Sequence, residues 1–424
     1  MQKLSDKEKN TFILHVIHSA IEGIISGVFV LNGFIFVENL KGSLFELGIL
    51  FTFSWGVYII LAFTNVFISR VENQNKLLIY TALITRLPVM LFLLFPSEIS
   101  EIAGVSLYNT AFLLIIMMFF LGAPIIKPAV NQYLKNTYHH DNFGRLFGYA
   151  TGIQKVTTFI ATLLFGLVMD IDKTSFKYVY PVVGIMGVLS IVMLTRIKYE
   201  HIVEKKEKTA VLTGVKDSVM QMIRILKNDK PYLFFQFGFL FYGIAFMITD
   251  SVVTKFFSDY MDANSSAALY KNIALVITII LLPNLGRSFG KTDPRKFGIF
   301  TFMFLAFYIL FVMLTEYFPF HTIIFGLEIY YLLVIAFIFN GLFMSTMHLL
   351  WNIGSAYFCK PQDAGIYHSV HLVLTGLRAV IFPTLGIIIY KATGYSFTFA
   401  VGIICLITGM IILYWSKNKF KIKV

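Results

Sequence analysis

The stretch RLFGYATGIQKVTTFIATLLFGLVM, Arg145–Met169, is an apolar run with a single lysine, Lys155, inside it. A transmembrane helix needs about 20 mostly apolar residues, so this run is long enough to cross a bilayer. An ionised lysine in hydrocarbon costs about 2.5–3.5 kcal/mol on insertion scales, and such residues usually face a bundle interior or a water-filled cavity. Lys155 therefore indicates a membrane-embedded helix bundle with a polar interior.

Similar runs fill almost the whole chain. It has 424 residues, of which 57% are hydrophobic and only 14% are charged, and its mean hydropathy is +0.76. Soluble globular proteins do not have this composition. The first run has no small-residue cleavage site behind it, so we interpret it as a membrane span and not as a signal peptide. Twelve spans are predicted, and they start near Thr11, Glu46, Leu77, Tyr108, Leu146, Tyr178, Tyr232, Ala267, Phe297, Thr322, Tyr367 and Ser396.

The positions of the charged residues predict the orientation of these spans. The net charge is +12, and most of the 35 Lys and Arg residues lie on one side of the predicted spans, together with both termini. By the positive-inside rule this side is cytoplasmic, which predicts a multi-pass protein of the plasma (inner) membrane with both termini cytoplasmic. The charge then requires no nucleic-acid partner. Cys359 and Cys405 allow neither a disulfide framework nor a cysteine metal cluster, and we expect no metal and no cofactor.

A polar, lysine-rich segment divides the twelve spans into two groups of six. It predicts an N-terminal six-helix bundle at residues 1–197, a cytoplasmic linker at 198–230 and a C-terminal six-helix bundle at 231–424. Within the linker, apolar residues recur at helical spacing over Thr213–Asn228, which indicates an amphipathic helix on the membrane surface. The predicted fold class is an all-α polytopic membrane protein with two six-helix repeats. Three pairs of like residues lie 220 positions apart, as repeats require: Gly23 and Gly243, Lys76 and Lys296, and Gly166 and Gly386.

Three segments, together with this topology, resemble the major facilitator superfamily. The loop GRSFGKTDPRK, Gly286–Lys296, resembles the signature loop of that family, with Gly290 at the position that is usually acidic. NFGRLFGYATG, Asn142–Gly152, and GLRAVIFPTLG, Gly376–Gly386, are similar to the family's segments at spans five and eleven. The resemblance covers essentially the whole chain and leaves the subfamily open. It implies transport by alternating access, in which one repeat rocks against the other around a solute site near the membrane midplane.

Polar side chains recur at three- and four-residue steps on three predicted helices, which places each set on one helix face. In the resembled family these helices border the central cavity. At about 1.5 Å per residue, Glu22, Lys155 and Arg378 lie near the middle of a hydrocarbon core about 30 Å thick. The three sets are His15, His18, Ser19, Glu22 and Ser26 in span one; Thr151, Gln154, Lys155, Thr158 and Thr162 in span five; and His368, His371, Thr375 and Arg378 in span eleven.

The cations near the midplane are candidates for binding a solute. Lys155 and Arg378 lie on equivalent spans of the two repeats, so a two-fold relation would bring both cations to one anion. Gln154, Thr158 and Thr375 are predicted to assist them, because they share the same helix faces. The excess of positive charge at this depth favours an anionic or carboxylate-bearing solute.

Other ionisable residues of the spans are candidates for moving protons. Glu22, Asp250 and His371 are predicted to take part in proton coupling, because carboxylates and histidines can change their protonation state during transport. Lys127 and His348 lie nearer the inner face and are candidates for a gate or relay.

Each candidate also has a structural alternative. Glu22 can neutralise Lys155 or Arg378 in an ion pair, since intramembrane charges often pair with one another. Arg86 is expected to be structural, because third spans are peripheral in the resembled family. Lys127 can extend its ammonium group to the inner surface, and the buried histidines can serve helix packing.

These features predict a secondary active transporter of a small organic solute, coupled to protons and not an enzyme. The alternative within the same class is a proton-driven exporter of amphiphilic compounds, which the aromatic-rich spans favour and the absence of a glycine-proline motif in span five disfavours. The alternative of another class is a membrane sensor or receptor that binds without transporting. The expected partners are the solute, the proton and the lipid bilayer, and we expect a monomer.

Overall fold

Helices make up almost all of the chain that is described in the computed structural model. The described residues are 4–36, 73–95, 105–197, 211–260, 264–324 and 327–422, with short pieces between 37 and 72 that include the 3-10 helix Val57–Ile60. They divide into two compact units, which we call the N-terminal unit (Met1–His139 with Tyr149–Val219) and the C-terminal unit (His140–Gly148 with Met220–Val424). The limits predicted for the two bundles, at 197 and 231, stay predictions.

The N-terminal unit contains the first helices of the chain. The first of them begins at a capping box, in which the Ser5 hydroxyl accepts from the Glu8 N–H and the Glu8 carboxylate accepts from the Ser5 N–H. The helices are α1 (Asp6–Phe29), α2 (Gln74–Arg86, continued by 3-10 turns over Leu87–Leu94), α3 (Val105–Phe120), α4 (Ala123–Thr137), α5 (His140–Ile171), α6 (Phe176–Leu194) and α7 (Val211–Asn228). The first nine residues of α5 and the last nine of α7 belong to the C-terminal unit.

The C-terminal unit contains the remaining helices and one β-hairpin. The elements are α8 (Lys230–Tyr260), α9 (Asn264–Phe289), α10 (Pro294–Tyr317), β1 (His321–Ile324), β2 (Leu327–Tyr330), α11 (Tyr331–Ile353) and α12 (Ala364–Lys419). Helix α12 has a break at Gly394, whose φ of 82° is readily accessible only to glycine. Its two parts therefore correspond to the two last predicted spans.

Nine ranges of the described residues are long and apolar enough to cross a membrane. The longest, Pro361–Lys419, is 59 residues long and contains both parts of α12. The helices agree with the predicted spans except at two places. The span predicted from Glu46 falls mostly outside the described residues. The span predicted from Thr322 begins later, at Tyr331, because the preceding residues form the antiparallel hairpin β1–β2.

Aromatic side chains form the core of the N-terminal unit. The ring of Phe92 lies 5.3 Å from Phe112 and 4.8 Å from Tyr180, both in edge-on geometry. The buried Tyr180 hydroxyl donates to Asn32 Oδ1 at 2.6 Å, which satisfies its polar group. These contacts hold α3 and α6 together with the turns that follow α2.

Glycines allow two pairs of helices to approach closely. On α1, Gly23 and Gly27 form a small-xxx-small pattern against α5, where a Cβ at position 27 would lie 2.5 Å from the carbonyl oxygen of Thr158. The Thr162 hydroxyl donates across the same contact to the carbonyl of Gly27 at 2.9 Å. In the C-terminal unit, a Cβ at Gly144 would lie 2.5 Å from the carbonyl oxygen of Gly286 on α9.

Candidate functional site

An ion pair in the N-terminal unit joins α1 to α2. Arg86 Nη1 lies 2.6 Å from Glu22 Oε1, and Nη2 lies 3.3 Å from Oε2, so the guanidinium binds the carboxylate through two nitrogens. Nη1 also donates to the carbonyl of Gly187 on α6 at 2.8 Å. A Cβ at this glycine would lie 2.7 Å from Arg86 Cδ, so the arginine needs a glycine here. Arg86, and neither Lys155 nor Arg378, is thus the cation that the structure places against Glu22.

A serine extends this ion pair to a histidine. The Ser190 hydroxyl donates to Glu22 Oε1 at 2.7 Å and lies 2.7 Å from His18 Nδ1. A hydroxyl has one hydrogen to donate, so Ser190 accepts from His18 and the ring carries its hydrogen on Nδ1. The result is a buried, directed chain of hydrogen bonds from His18 through Ser190 to Glu22. We call these three residues and Arg86 the Glu22 network.

Lys155 lies in another part of the N-terminal unit, on α5. Its side chain is half-buried, and it has no hydrogen bond or ion pair with any described residue. Nearby hydroxyls are occupied by helix carbonyls. Thr158 donates to the carbonyl of Gln154 at 2.8 Å, and Thr162 shares its one hydrogen between the carbonyls of Thr158 and Gly27, each at 2.9 Å. Lys155 is therefore the one predicted solute-binding residue on α5 that has a charged side chain, and no described residue pairs with that charge.

Arg378 lies in the C-terminal unit and is buried, with 4% of its surface exposed. Its Nη1 donates to the carbonyl of Phe239 on α8, and its Nη2 donates to Thr375 Oγ1 at 2.7 Å. Gly243 makes room for it, because a Cβ there would lie 2.7 Å from both Cδ and Nε of Arg378. Among the described residues no carboxylate pairs with this guanidinium.

His371 lies two turns before Arg378 on α12 and is fully buried. Its Nδ1 is 3.1 Å from Gln236 Oε1 on α8, and its ring lies edge-on at 4.7 Å from Phe239 and 5.7 Å from Trp351 on α11. Gln236 was not predicted as a site residue. A single amide in an apolar run has no pattern that distinguishes it from a packing residue, and only the fold brings it to His371.

Three further predicted residues lie on α8, α4 and α11. Asp250 is on the exposed surface of α8. Lys127 on α4 places its ammonium nitrogen 4.9 Å from the ring centre of Tyr58, a cation–π contact. His348 is half-buried on α11. The structure thus brings Glu22 together with Arg86 and brings His371, Thr375 and Arg378 together, whereas Lys155 and Arg378 belong to different units.

Among the described residues, no three His, Cys, Asp or Glu side chains are placed to hold one metal ion. The Glu22 network can transfer protons along its hydrogen bonds. In the group of His371, Thr375 and Arg378, the guanidinium of Arg378 can bind an anion.

The model for the Major Facilitator Superfamily matches residues 11–327 of this chain. No curated protein matches this chain. Three solved structures with this fold are similar along nearly their whole length. The proton:xylose symporter XylE, bound to 6-bromo-6-deoxy-D-glucose, has a TM-score of 0.65 and 13% identity, and the match covers 96% of this chain and 95% of that one. A variant of the E. coli fucose:proton symporter FucP has a TM-score of 0.67 and 14% identity, and the match covers 96% of this chain and 98% of that one. The human organic anion transporter MFSD10 (TETRAN) has a TM-score of 0.72 and 9% identity, and the match covers 97% of this chain and 100% of that one.

At these identities the likeness to solved structures shows the fold. The predicted family and the predicted fold class, twelve helices in two repeats, are confirmed. The long apolar helices and the family match together make this a multi-pass integral membrane protein.

Proposed function

This chain belongs to the major facilitator superfamily, and from that premise we propose that it is a secondary active transporter of a small organic anion, coupled to protons. The fold supports transport by alternating access, in which the solute site opens to each side of the membrane in turn. We further propose that it lies in the inner membrane as a monomer, with both termini in the cytoplasm. The excess of Lys and Arg on that side of the spans supports this orientation.

The observation that carries the proposal is the difference between two buried arginines. Arg86 is neutralised by Glu22 at 2.6 Å. Arg378 is as deeply buried, yet no described carboxylate pairs with it. A buried charge is costly unless it is paired. An anionic solute would supply the missing negative charge, and we propose that Arg378 and Lys155 bind it, with Gln154, Thr158 and Thr375 beside them.

The Glu22 network supports the proton coupling. Glu22 accepts from Arg86 and from Ser190, and His18 is linked to it through Ser190. Protonation of Glu22 would remove the charge that holds Arg86, so one proton would change the contacts between α1, α2 and α6. A carboxylate that is paired in this manner can act as a proton-controlled switch. We propose Glu22 as the main coupling residue, with Asp250 and His371 as further candidates and Lys127 and His348 as gate or relay residues.

The names of the structural relatives agree with the proposal. Two of them are proton symporters and one is an organic anion transporter. Their identities to this chain are 9–14%, so these activities come to this chain as a proposal.

Flux measurements test the function. The purified protein would first be screened by thermal shift against succinate, gluconate and benzenesulfonate and against neutral glucose, since a ligand that binds the folded state stabilises it. The best-binding anion would then be followed into proteoliposomes with and without an inward proton gradient. We expect gradient-driven accumulation. Glu22→Gln should abolish it and preserve the exchange of internal for external anion.

Other outcomes separate the alternatives. Binding without flux under any gradient would favour a sensor or receptor. Gradient-driven movement of amphiphilic cations, with no response to the three anions, would favour the exporter. Loss of both accumulation and exchange in Glu22→Gln would make this residue structural.

A further inference from the structure

The buried nitrogen atoms of the C-terminal unit without a hydrogen-bond partner in the described part of the chain include His371 Nε2 and Arg378 Nε, both on α12. The two side chains are 0% and 4% exposed. Roughly nine in ten or more of the buried polar groups in proteins are hydrogen-bonded, so each exception requires an explanation. Two exceptions on one helix, in side chains that are neighbours, indicate a site for a ligand with oxygen atoms.

The two side chains are neighbours because Arg378 turns back along α12. Its Nη2 donates to Thr375 Oγ1 at 2.7 Å, and that hydroxyl donates to the carbonyl of His371 at 2.9 Å. Phe239 on α8 contacts both of them: its carbonyl accepts from Arg378, and its ring packs against the imidazole. The guanidinium and the imidazole thus share Thr375 and Phe239 as neighbours, and from this proximity we infer one ligand for both.

The hydrogen bond from Gln236 determines which kind of ligand the imidazole can meet. Gln236 Oε1 can only accept, so His371 Nδ1 at 3.1 Å carries the ring hydrogen. In the neutral ring, Nε2 is then an acceptor without a hydrogen. A carboxylate oxygen is also an acceptor, so the two can be joined only by an added proton.

The charges around His371 favour adding that proton together with an anion. Helix α8 presents Gln236 and Phe239 to the ring and α11 presents Trp351, none of which is charged. From α12 itself, Arg378 and His368 act on it. A proton on Nε2 alone would place a second cation beside Arg378 in a low-dielectric interior. A carboxylate that arrives with the proton leaves the charge of the site unchanged.

We propose that the C-terminal unit binds a carboxylate at Arg378 and His371, and that each carboxylate bound brings one proton onto His371 Nε2. This inference rests on the proposed function and names its ligand class and one proton site. The proton comes from the surrounding water and forms an N–H bond on the ring, and no other covalent bond forms or breaks. Gln236 is a positioning residue, because it holds the hydrogen on Nδ1.

Calorimetry tests the proposal without a transport assay. Benzoate and acetate would be titrated into the purified full chain in phosphate, MOPS and Tris at one pH above neutrality. The slope of the binding enthalpy against the buffer ionisation enthalpy gives the number of protons taken up. We expect one proton per carboxylate in the unaltered protein, an affinity that weakens about tenfold per pH unit, and no binding of neutral benzamide.

Variants identify the proton site. His371→Gln should bind benzoate with no proton uptake, because a neutral amide can donate directly. His321→Gln, the same change at an exposed histidine of β1, should keep the uptake at one. In Gln236→Leu the ring hydrogen is no longer held on Nδ1, so we expect binding with less than one proton. Arg378→Gln should lose carboxylate binding.

Several results would overturn the proposal. Benzoate binding without proton uptake in the unaltered protein would do so even if His371→Gln failed to fold, and the proposed transport of anions would still stand. One proton retained in His371→Gln would also overturn it. Failure of both benzoate and acetate to bind would count against this site and against the anionic solute, while gradient-driven flux of a neutral solute would leave the transporter itself intact.

Discussion

Glu22 and Arg86 form a buried ion pair between α1 and α2, with Nη1 2.6 Å from Oε1 and side chains that are 21% and 5% exposed. Removing one partner of such a pair leaves an uncompensated charge, which typically costs about 3–5 kcal/mol. We expect Glu22→Gln and Arg86→Gln to lower the melting temperature of the purified protein clearly, and the double variant to recover much of the loss.

The matched control is the ion pair of Asp6 and Lys9 on the same helix, whose side chains are 95% and 57% exposed. Exposed pairs contribute little, so Asp6→Asn should leave the melting temperature unchanged. If Asp6→Asn lowered the melting temperature as much as Glu22→Gln or Arg86→Gln, burial would not explain the contribution of the Glu22–Arg86 pair.

Lys155 and Arg378 are predicted to determine anion affinity. Loss of one hydrogen bond to a charged group costs about 1.5–3 kcal/mol, so Lys155→Ala and Arg378→Ala should each weaken benzenesulfonate binding about tenfold or more. Arg378→Lys should rescue only in part, because lysine lacks the planar fork of arginine. Lys155→Ala should not lower the melting temperature, since no described residue pairs with Lys155. Unchanged anion affinity in both alanine variants would exclude these residues from the site.

Gly243 is predicted to be necessary for the position of Arg378. A Cβ at position 243 would lie 2.7 Å from Arg378 Nε, so Gly243→Ala must displace the guanidinium, at a cost of about 1–3 kcal/mol. We expect weaker benzoate binding in calorimetry. Gly166→Ala on α5 is the control, because nothing lies within 4 Å of its added Cβ, and alanine stabilises a helix by up to about 1 kcal/mol relative to glycine. Equal binding in the two variants would show that Arg378 can move without loss.

Asp229, between α7 and α8, should make stability depend on pH. Burial raises the pKa of its carboxyl, although the Tyr232 N–H and the Tyr367 hydroxyl donate to it at 3.0 and 2.9 Å. The folded chain then holds this proton more tightly than the unfolded chain. The contribution to the free energy of unfolding is therefore largest below pH 3.8 and falls as pH rises through the raised pKa.

Asp229→Asn should flatten this part of the dependence of melting temperature on pH. The comparison is Asp172, where hydrogen bonds from Thr174 lower the pKa of the carboxyl, so its contribution is lost as pH falls. If Asp229→Asn and Asp172→Asn changed the curve in the same direction, the sign assigned to Asp229 would be wrong.

The orientation in the membrane can be tested with single cysteines. In a background with Cys359 and Cys405 replaced, Lys173→Cys should react with an impermeant thiol reagent added outside the cell. Lys421→Cys should react only after permeabilisation. Reaction of both from one side would contradict a chain whose termini are both cytoplasmic.

Hydropathy and family motifs predicted the helices well, because bilayer length and apolar composition are local properties of the chain. The hairpin His321–Tyr330 was missed, since a short run rich in Ile, Thr and Tyr has the same hydropathy as the start of a helix. Sequence also placed Glu22 and Arg378 within membrane-spanning helices, and their roles in transport stay predictions. It did not predict that Arg86 pairs with Glu22, nor that Gln236 contacts His371, because both contacts join residues far apart in the chain.

The two buried arginines each lie against a glycine, Arg86 against Gly187 and Arg378 against Gly243. In evolution each glycine and its arginine should co-vary, because neither position can change freely while the other is kept. Relatives in which a larger residue has replaced Gly243 should therefore carry a shorter side chain in place of Arg378, and the same linked substitution should occur at Gly187 and Arg86. Relatives with the linked substitution at Gly243 and Arg378, but with Gly187 and Arg86 unchanged, should keep the Glu22 network and transport a different kind of solute.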